Sequence, residues 1–569
     1  MGEAVNRRLL VAGMAGAVLL AYSNHFQNEF HFDDFHTVTG NPSIRSIRNV
    51  PGFFVDARSF STLPANQSYR PVVSTTLALD YWLAGGLKPF YFHLSTFLWF
   101  LLQLALMFSL FERIFDRVRP DPRNRYIALV AAACYGLHPA NAETVNYVIQ
   151  RGDLFSTLGV VAALVAWHRL PGVWWVVPLV FAEFAKPPAL VFPAILFAYL
   201  VLIEGTNWSE SVRRSAPAAA ISGAMAALHA YMTPPTFLAG AASAYAYRIT
   251  QPWVALHYFK SFFLPLRLTA DSDMQAFDSI FEPRAILGFG FVAAVSAIAV
   301  LSARRRDMRP VAFGLVWFLA ALLPTSMFPL AEVENDHRMF FPFVGLTLSV
   351  VWAFAPEVRN RAGVLCCATL ALLVACGFAT WKRNQVWRTE ESLWRDVTIK
   401  SPTNGRGLMN YGVTQMSHGD YQTAFAYFRR ASIFAPAYPL LEINLGIASE
   451  QLGRAADAEQ HFARAIVLAP DDAQVREYCG RWCLSRSVAY HQSGEYWRSI
   501  AAAREALRLM PDCAEAYNNI AASYESLAMW GEAVEAARKA LRVRPDFQLA
   551  RNNLAWAESH CNEKRSGVR

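Results

Sequence analysis

The residues of this chain best equipped for chemistry are carboxylates and cations set between apolar runs. His31-Phe32-Asp33-Asp34-Phe35 places two adjacent carboxylates among aromatic residues. A carboxylate at a membrane interface either accepts a proton as a general base or holds a divalent cation. The alternative is an acidic turn in which Asp33 or Asp34 caps a short helix. A second stretch, Gly136-Leu137-His138-Pro139-Ala140-Asn141-Ala142-Glu143, continues to Gln150-Arg151-Gly152-Asp153. Glu143 and Arg151 only roughly share a face if the segment is helical, while Asp153 fits a helix cap and His138 a turn before Pro139. Lys186, followed by Pro187-Pro188, needs an anion or carbonyl partner, or a route for its ammonium to the surface. Glu332-Val333-Glu334-Asn335-Asp336-His337-Arg338 is charge-dense and leads directly into an apolar run. There the planar fork of Arg338 either clamps a phosphate or anchors a helix at an interface. Asp271 and Asp273 form a further acidic pair with the same two readings.

Competing signatures are missing from the sequence. There is no Gly-rich phosphate loop, no GxSxG and no HExxH. That disfavours a nucleotide as direct donor and favours a phosphate donor carried by a lipid. The eight cysteines include no CxxC pair, so no zinc site is expected.

The elements that must position these groups are apolar. Of 569 residues, 54% are hydrophobic and 17% charged, against about 25% charged in soluble domains. This composition disfavours a purely cytosolic enzyme and a disordered chain. Spanning helices need about 20 mostly apolar residues. Runs of that kind cover Leu9–Tyr22, Tyr91–Phe111, Tyr126–Leu137, Leu154–Trp167, Val173–Phe184, Ala189–Ile203, Ala216–Tyr231, Ala285–Leu301, Val311–Phe328, Met339–Ala355 and Gly363–Thr380, predicting about 11 spans. Trp253–Leu266 is shorter and reads as an interfacial helix beside the bundle.

Arginine clusters at Arg7-Arg8, Arg113–Arg125, Arg213-Arg214, Arg304–Arg309 and Arg359/Arg361 then fall on one side, which the positive-inside rule makes cytoplasmic. The candidate residues lie in loops on the opposite side, as does everything after Thr380. For the first run the alternative is a cleaved signal peptide, with Ala21-Tyr22-Ser23 as the cleavage site.

After residue 381 the pattern changes. Pro402, Pro436, Pro470, Pro511 and Pro545 are spaced by 34, 34, 41 and 34 residues. Small residues such as Ala424, Ala458 and Ala533 recur in phase. A 34-residue helix–turn–helix period of this kind resembles the tetratricopeptide repeat, which stacks into a superhelix with a concave face for extended peptides. The 41-residue gap is one repeat plus a seven-residue insertion. Acidic and basic residues nearly balance here, which argues against a nucleic-acid partner. The predicted domains are a membrane bundle over 1–381, a connecting helix over 382–401, and repeats over 402–569.

The order Phe32-Asp33-Asp34, Tyr69-Arg70-Pro71, His138-Pro139…Glu143…Arg151-Gly152-Asp153, Ala185-Lys186, Gln251-Pro252…Pro265 and His337-Arg338…Pro342…Gly345, followed by the repeats, resembles the transmembrane and tetratricopeptide-repeat O-mannosyltransferases, in a bacterial-type layout. Phe32 stands where a Trp is common in that family, and Pro187 where a Glu often follows the lysine. The resemblance implies an all-α fold: a GT-C-like transmembrane bundle followed by a tetratricopeptide α-solenoid. It implies an inverting glycosyltransferase that moves a hexose from a polyprenyl-phosphate carrier to a protein Ser or Thr hydroxyl.

Carried onto this chain, Asp33 or Asp34 would be the base. Arg338, Lys186, Arg151 and His337 would hold the lipid phosphate, and His138, Glu143, Asp153 and Arg70 would shape the site. No cofactor is obligatory, and Asp33 and Asp34 are where Mg or Mn would bind if a divalent cation is used. The repeats would hold the acceptor polypeptide. The expected location is the bacterial cytoplasmic membrane with periplasmic repeats, or the endoplasmic reticulum membrane with luminal ones.

Three other readings remain at this point. One is transfer to pilin, lipid or polysaccharide of an envelope, and a second is a non-catalytic scaffold that anchors the repeats. A transporter, the third, would favour polar groups at mid-membrane depth, whereas here they cluster in loops.

Overall fold

The computed structural model describes residues 2–238, 240–360 and 362–566. Arg361 lies outside the described residues, as do the side chains of Arg7, Arg359 and Cys366. Among the described residues all regular structure is helical. The chain divides into two compact units, Met1–Pro402 and Thr403–Arg569.

In the first unit every one of the eleven apolar runs is helical. Six helical stretches among the described residues are long and apolar enough to cross a bilayer: Pro89–Val118, Val148–Arg169, Pro187–Glu204, Pro283–Ala303, Arg306–Met327 and Asp336–Ala355. Two other runs fold as helices of 13 and 10 residues, Asn124–Gly136 and Val176–Ala185. Both are too short to cross alone at 1.5 Å of rise per residue. The expected short interfacial helix at Trp253 is the second half of a 20-residue helix, Ala244–Phe263. Arg248 and Gln251 lie in this helix, and each donates its side chain to a carbonyl of a neighbouring segment, Met327 and Val333 respectively.

Prolines open many of these helices, at Pro71, Pro89 and Pro283, where a missing N–H has no intrahelical use and the fixed φ already suits the helix. The Val148–Arg169 segment is 94% buried across its apolar window, so it is the central strut of the unit. Helices Arg309–Met327 and Phe340–Asn360 approach at Gly314 and Gly345, where a Cβ on either residue would run into the carbonyl oxygen of the other. Small residues allow backbones this close in a membrane bundle. That crossing holds the intervening loop, which ends on Arg338, in place.

Residues 382–401 belong with this unit. They form the end of helix Ala362–Val386 and a separate helix, Glu390–Lys400. Their side chains explain the association. Trp387 is fully buried, and Asn384 joins a chain of amides: Asn146 Nδ2 donates to Asn384 Oδ1 at 2.6 Å, and Asn28 Nδ2 donates to Asn146 Oδ1 at 2.5 Å. Buried amides that satisfy one another fix a unique arrangement, here between the end of the first run, the 139–150 loop and the last helix of the bundle.

The second unit consists of paired helices: Gly405–Ser417 with Tyr421–Phe434, Pro439–Gln451 with Ala455–Leu468, Ala473–Gln492 with Tyr496–Leu509, and Ala514–Ser526 with Trp530–Val543, followed by Gln548–Ser566. The second helix of each pair ends two residues before a phased proline. The seven-residue insertion lengthens one helix, Ala473–Gln492, which has 20 residues where its counterparts have 13. Packing accounts for the small residues. A Cβ at Gly446 would lie 2.8 Å from the Phe462 ring of the partner helix.

Candidate active site

The two adjacent aspartates separate into different environments. Asp34 is fully buried. Its Oδ2 accepts the His31 N–H at 3.2 Å and its Oδ1 accepts the Ile149 N–H at 2.8 Å. It thus ties the first loop to the end of the second loop, and burial raises its pKa to about 7. Asp33 is half exposed, with a side chain 49% accessible. Its Oδ1 faces His36 Nε2 at 3.2 Å, and its backbone N–H donates to the Tyr147 hydroxyl at 2.8 Å. Partial burial alone would raise the Asp33 pKa. The contacts with His36 and Tyr147 and the charge of Arg70 outweigh it and hold the carboxyl below the ordinary value. Asp33 is therefore an anion with an open face, and Asp34 is a structural acceptor.

Between His31 and Asp33 the backbone turns through a left-handed residue that is not glycine: Phe32 has φ of 49°. Such a conformation is sparsely populated for bulky residues and persists only where packing enforces it. The Phe32 ring is packed 4.7 Å from Trp394, 5.5 Å from Tyr147 and 6.1 Å from Trp387. His31 is clamped from the same side, with Nδ1 2.7 Å from Glu390 Oε1 and Nε2 2.6 Å from the Trp387 carbonyl. The 382–401 segment thus forces the turn that aims Asp33.

The cations gather nearby. Lys186 Nζ donates to Asp153 Oδ2 at 2.6 Å and to Gln150 Oε1 at 2.9 Å. Burial lowers its pKa to about 8, with Arg70 and Arg338 pushing the same way and Asp153 opposing. Arg70 lies over the Phe60 ring at 4.9 Å and feels the charges of both Asp153 and Asp33. Its buried Nε has no hydrogen-bond partner. Arg338 is 9% exposed and donates only to neutral oxygens, the Tyr247 hydroxyl at 3.4 Å and the Val333 carbonyl at 3.3 Å. Among the described residues it makes no ion pair. His337 Nδ1 lies 2.8 Å from Glu143 Oε1, and burial among carboxylates holds the Glu143 pKa well above the ordinary value.

Three cations that all act on His337, two of them short of partners, suit a ligand that brings its own negative charge. Among the described residues no group of three or more His, Cys, Asp or Glu side chains is placed to hold a metal ion.

Of the sequence candidates, Asp33, Arg70, Asp153, Lys186 and Arg338 are brought together, with Glu143 and His337 joined beside them. Two are placed elsewhere. Arg151 is fully buried and spends its guanidinium on Asp80 Oδ2 at 2.5 Å, the Phe92 carbonyl at 3.0 Å and Thr96 Oγ1 at 3.0 Å. It braces three helices and has no free donor face for a phosphate. His138 accepts the Ala140 N–H at 3.2 Å, faces the Phe262 carbonyl and stacks on the Phe262 ring. That is the turn role, and burial lowers its pKa to about 4. Sequence reading missed Tyr147, His36 and Asp80. A lone Asp in the apolar Pro71–Ala84 helix was the signal for Asp80; nothing local marked Tyr147.

The family model for the tetratricopeptide repeat matches residues 514–547. The chain is 23% identical over 510 residues, 78% of its length, to protein O-mannosyl-transferase TMTC1 of Homo sapiens. It is 22% identical over 451 residues to protein O-mannosyl-transferase F38B6.6 of Caenorhabditis elegans, and 23% identical over 534 residues to Tmtc3 of Drosophila melanogaster. It spans 57%, 63% and 57% of those three proteins, less than two thirds of the length of each. The crystal structure of MamA protein aligns with 27% of this chain at 23% identity and a TM-score of 0.24. Over about three quarters of its length, then, this repeat-bearing helical chain is a homologue of proteins named protein O-mannosyl-transferases, at 22–23% identity.

Proposed function

We propose that the chain is a membrane glycosyltransferase that transfers a hexose from a polyprenyl-phosphate carrier to a Ser or Thr hydroxyl of a polypeptide held by the repeats. The observation that carries this reading is the half-open Asp33 carboxylate within electrostatic reach of Arg70, which gathers with Lys186 and Arg338 around His337. In the proposed reaction Asp33 takes the proton of the acceptor hydroxyl. The hydroxyl oxygen forms a bond to the anomeric carbon from the face opposite the phosphate, and the sugar–phosphate C–O bond breaks with inversion. Arg338, Lys186 and Arg70 stabilise the charge that develops on the departing lipid phosphate. His337 and Glu143 fix the loop that presents Arg338. The positive-inside reading of the arginine clusters supports an extracytoplasmic site.

The test is transfer by the purified full chain in lipid nanodiscs, supplied with a polyprenyl-phosphate hexose and a Ser/Thr-rich peptide and read by intact mass. A gain of one hexose on the peptide, persisting in EDTA, is expected. A gain only on lipid or glycan would favour the envelope-glycan reading, and no gain on any acceptor would favour a scaffold.

Two kinetic outcomes follow. Arg338→Gln should lower kcat about 100-fold, the usual cost of removing one donor aimed at developing charge, with the thermal midpoint little changed. The rate should also fall above pH about 8, because Lys186 is protonated below its pKa and loses its charge above it. Lys186→Arg should remove that alkaline limb, since a guanidinium stays charged throughout. An unchanged limb in the variant would assign it to another group.

A further inference from the structure

At the other end of the central helix pair lies a cavity that the transfer reaction does not use. Helices Pro89–Val118 and Arg151–Arg169 run side by side in the same direction, since Arg151 at the start of one bonds to Phe92 and Thr96 near the start of the other. Their far ends enclose a space of about 350 Å³ lined by Ser109, Glu112, Arg113, Asp116, His168 and Arg169. Phe92 and Arg113 are 21 residues apart on one helix, about 32 Å at 1.5 Å per residue. This cavity is therefore separate from the Asp33 site.

Its polar groups are unevenly satisfied. The two carboxylates are engaged: Glu112 accepts Arg125 Nε at 3.2 Å, and Asp116 accepts Asn124 Nδ2 at 2.7 Å. The donors are not. Ser109, only 8% exposed, has an Oγ with no partner, and the buried Nε2 of His168 has none. Among the described residues Arg113 and Arg169 make no ion pair. Buried polar atoms are rarely left unsatisfied, and each one needs a water or a ligand. The cavity therefore grades from orphaned hydrogen-bonding groups inside to free guanidinium groups at its mouth. Immediately after Arg169 the chain exposes Leu170, Val173 and Trp174, with Trp174 61% accessible. An indole beside apolar side chains is the composition of a bilayer interface, and basic pockets between spanning helices at that level hold lipid phosphates.

We propose that this cavity binds the phosphate headgroup of an anionic phospholipid. Arg113 and Arg169 grip the phosphate, and Ser109 and His168 meet the polar part of the headgroup. Free phosphate shares the chemistry of the headgroup but gains nothing from the apolar rim.

The test does not depend on transfer activity. The full chain in detergent is titrated with phosphatidylglycerol, phosphatidylcholine or inorganic phosphate, with retained lipid counted by native mass spectrometry and the thermal midpoint followed. Saturable retention of phosphatidylglycerol over phosphatidylcholine is expected. The Arg113→Gln/Arg169→Gln pair should weaken it about 30-fold, since each basic side chain near the surface contributes about 1 kcal/mol and about 1.4 kcal/mol is tenfold. Arg113→Gln alone, at an exposed position, should weaken it in the same direction and guards against a double variant that fails to fold. Equal retention by the unaltered chain and Arg113→Gln, or equal affinity for both lipids, would overturn the proposal. Stabilisation by inorganic phosphate without any response to phosphatidylglycerol would overturn it as well.

Discussion

Replacing Asp33 by Asn should lower kcat for sugar transfer about 10²–10⁴-fold, the range a positioned general base supplies, while leaving the thermal midpoint and donor binding nearly unchanged. Asp34→Asn should do the opposite. Asp33 has an accessible carboxylate whose side-chain contacts are with His36 and Tyr147, so the amide fits the same space and the negative charge is what is lost. Asp34 accepts two backbone N–H groups from separate segments and has no accessible surface. An Asn there offers one carbonyl to two donors and turns an N–H₂ toward the other. That leaves a buried donor unsatisfied, at a cost of about 1–3 kcal/mol. The pair is measured by single-turnover transfer and by thermal denaturation of each variant. If Asp34→Asn loses turnover with an unchanged midpoint and Asp33→Asn does not, the roles assigned to the two carboxylates are reversed.

The contrast between these neighbours shows where sequence reading stops. The Asp33-Asp34 pair stood out because adjacent carboxylates among aromatics are rare in a solvated turn. Which one is open to a substrate depends on Ile149 and His31, whose N–H groups are invisible as partners until the loops meet. The apolar runs and the proline period were legible because bilayer thickness and helix pairing impose lengths on the sequence. All eleven runs are helical, and the second helix of each pair ends two residues before a phased proline. Arg338 and Lys186 were legible as cations at run boundaries. Their convergence with Arg70 around His337 was not, because it depends on contacts between segments more than a hundred residues apart. Nor did sequence predict that residues 382–401 would wall the site, since Trp387 and Trp394 look like ordinary apolar positions of an amphipathic linker. Their function shows only against the left-handed Phe32 that they hold.

Arg151 was misread for a physical reason, and the error yields a large effect on stability. A lone arginine at the edge of an apolar run is as consistent with a buried brace as with a phosphate clamp, and sequence cannot say which carboxylate it reaches. Arg151→Met should destabilise the chain by about 3–5 kcal/mol, because it strands the nearly inaccessible Asp80 carboxylate in the interior. Turnover per folded molecule should fall far less than in Asp33→Asn. The double variant Arg151→Met/Asp80→Leu separates a brace from a phosphate ligand. Replacing both members of a buried ion pair by apolar groups of similar size is often close to neutral. The double variant should therefore regain most of the stability lost in Arg151→Met, although the Phe92 carbonyl and Thr96 hydroxyl lose their donor. Denaturation in mixed micelles measures both. If Arg151→Met folds normally but no longer binds the lipid-linked donor, the guanidinium reaches the substrate after all. Asp80 would then hold it ready rather than spend it.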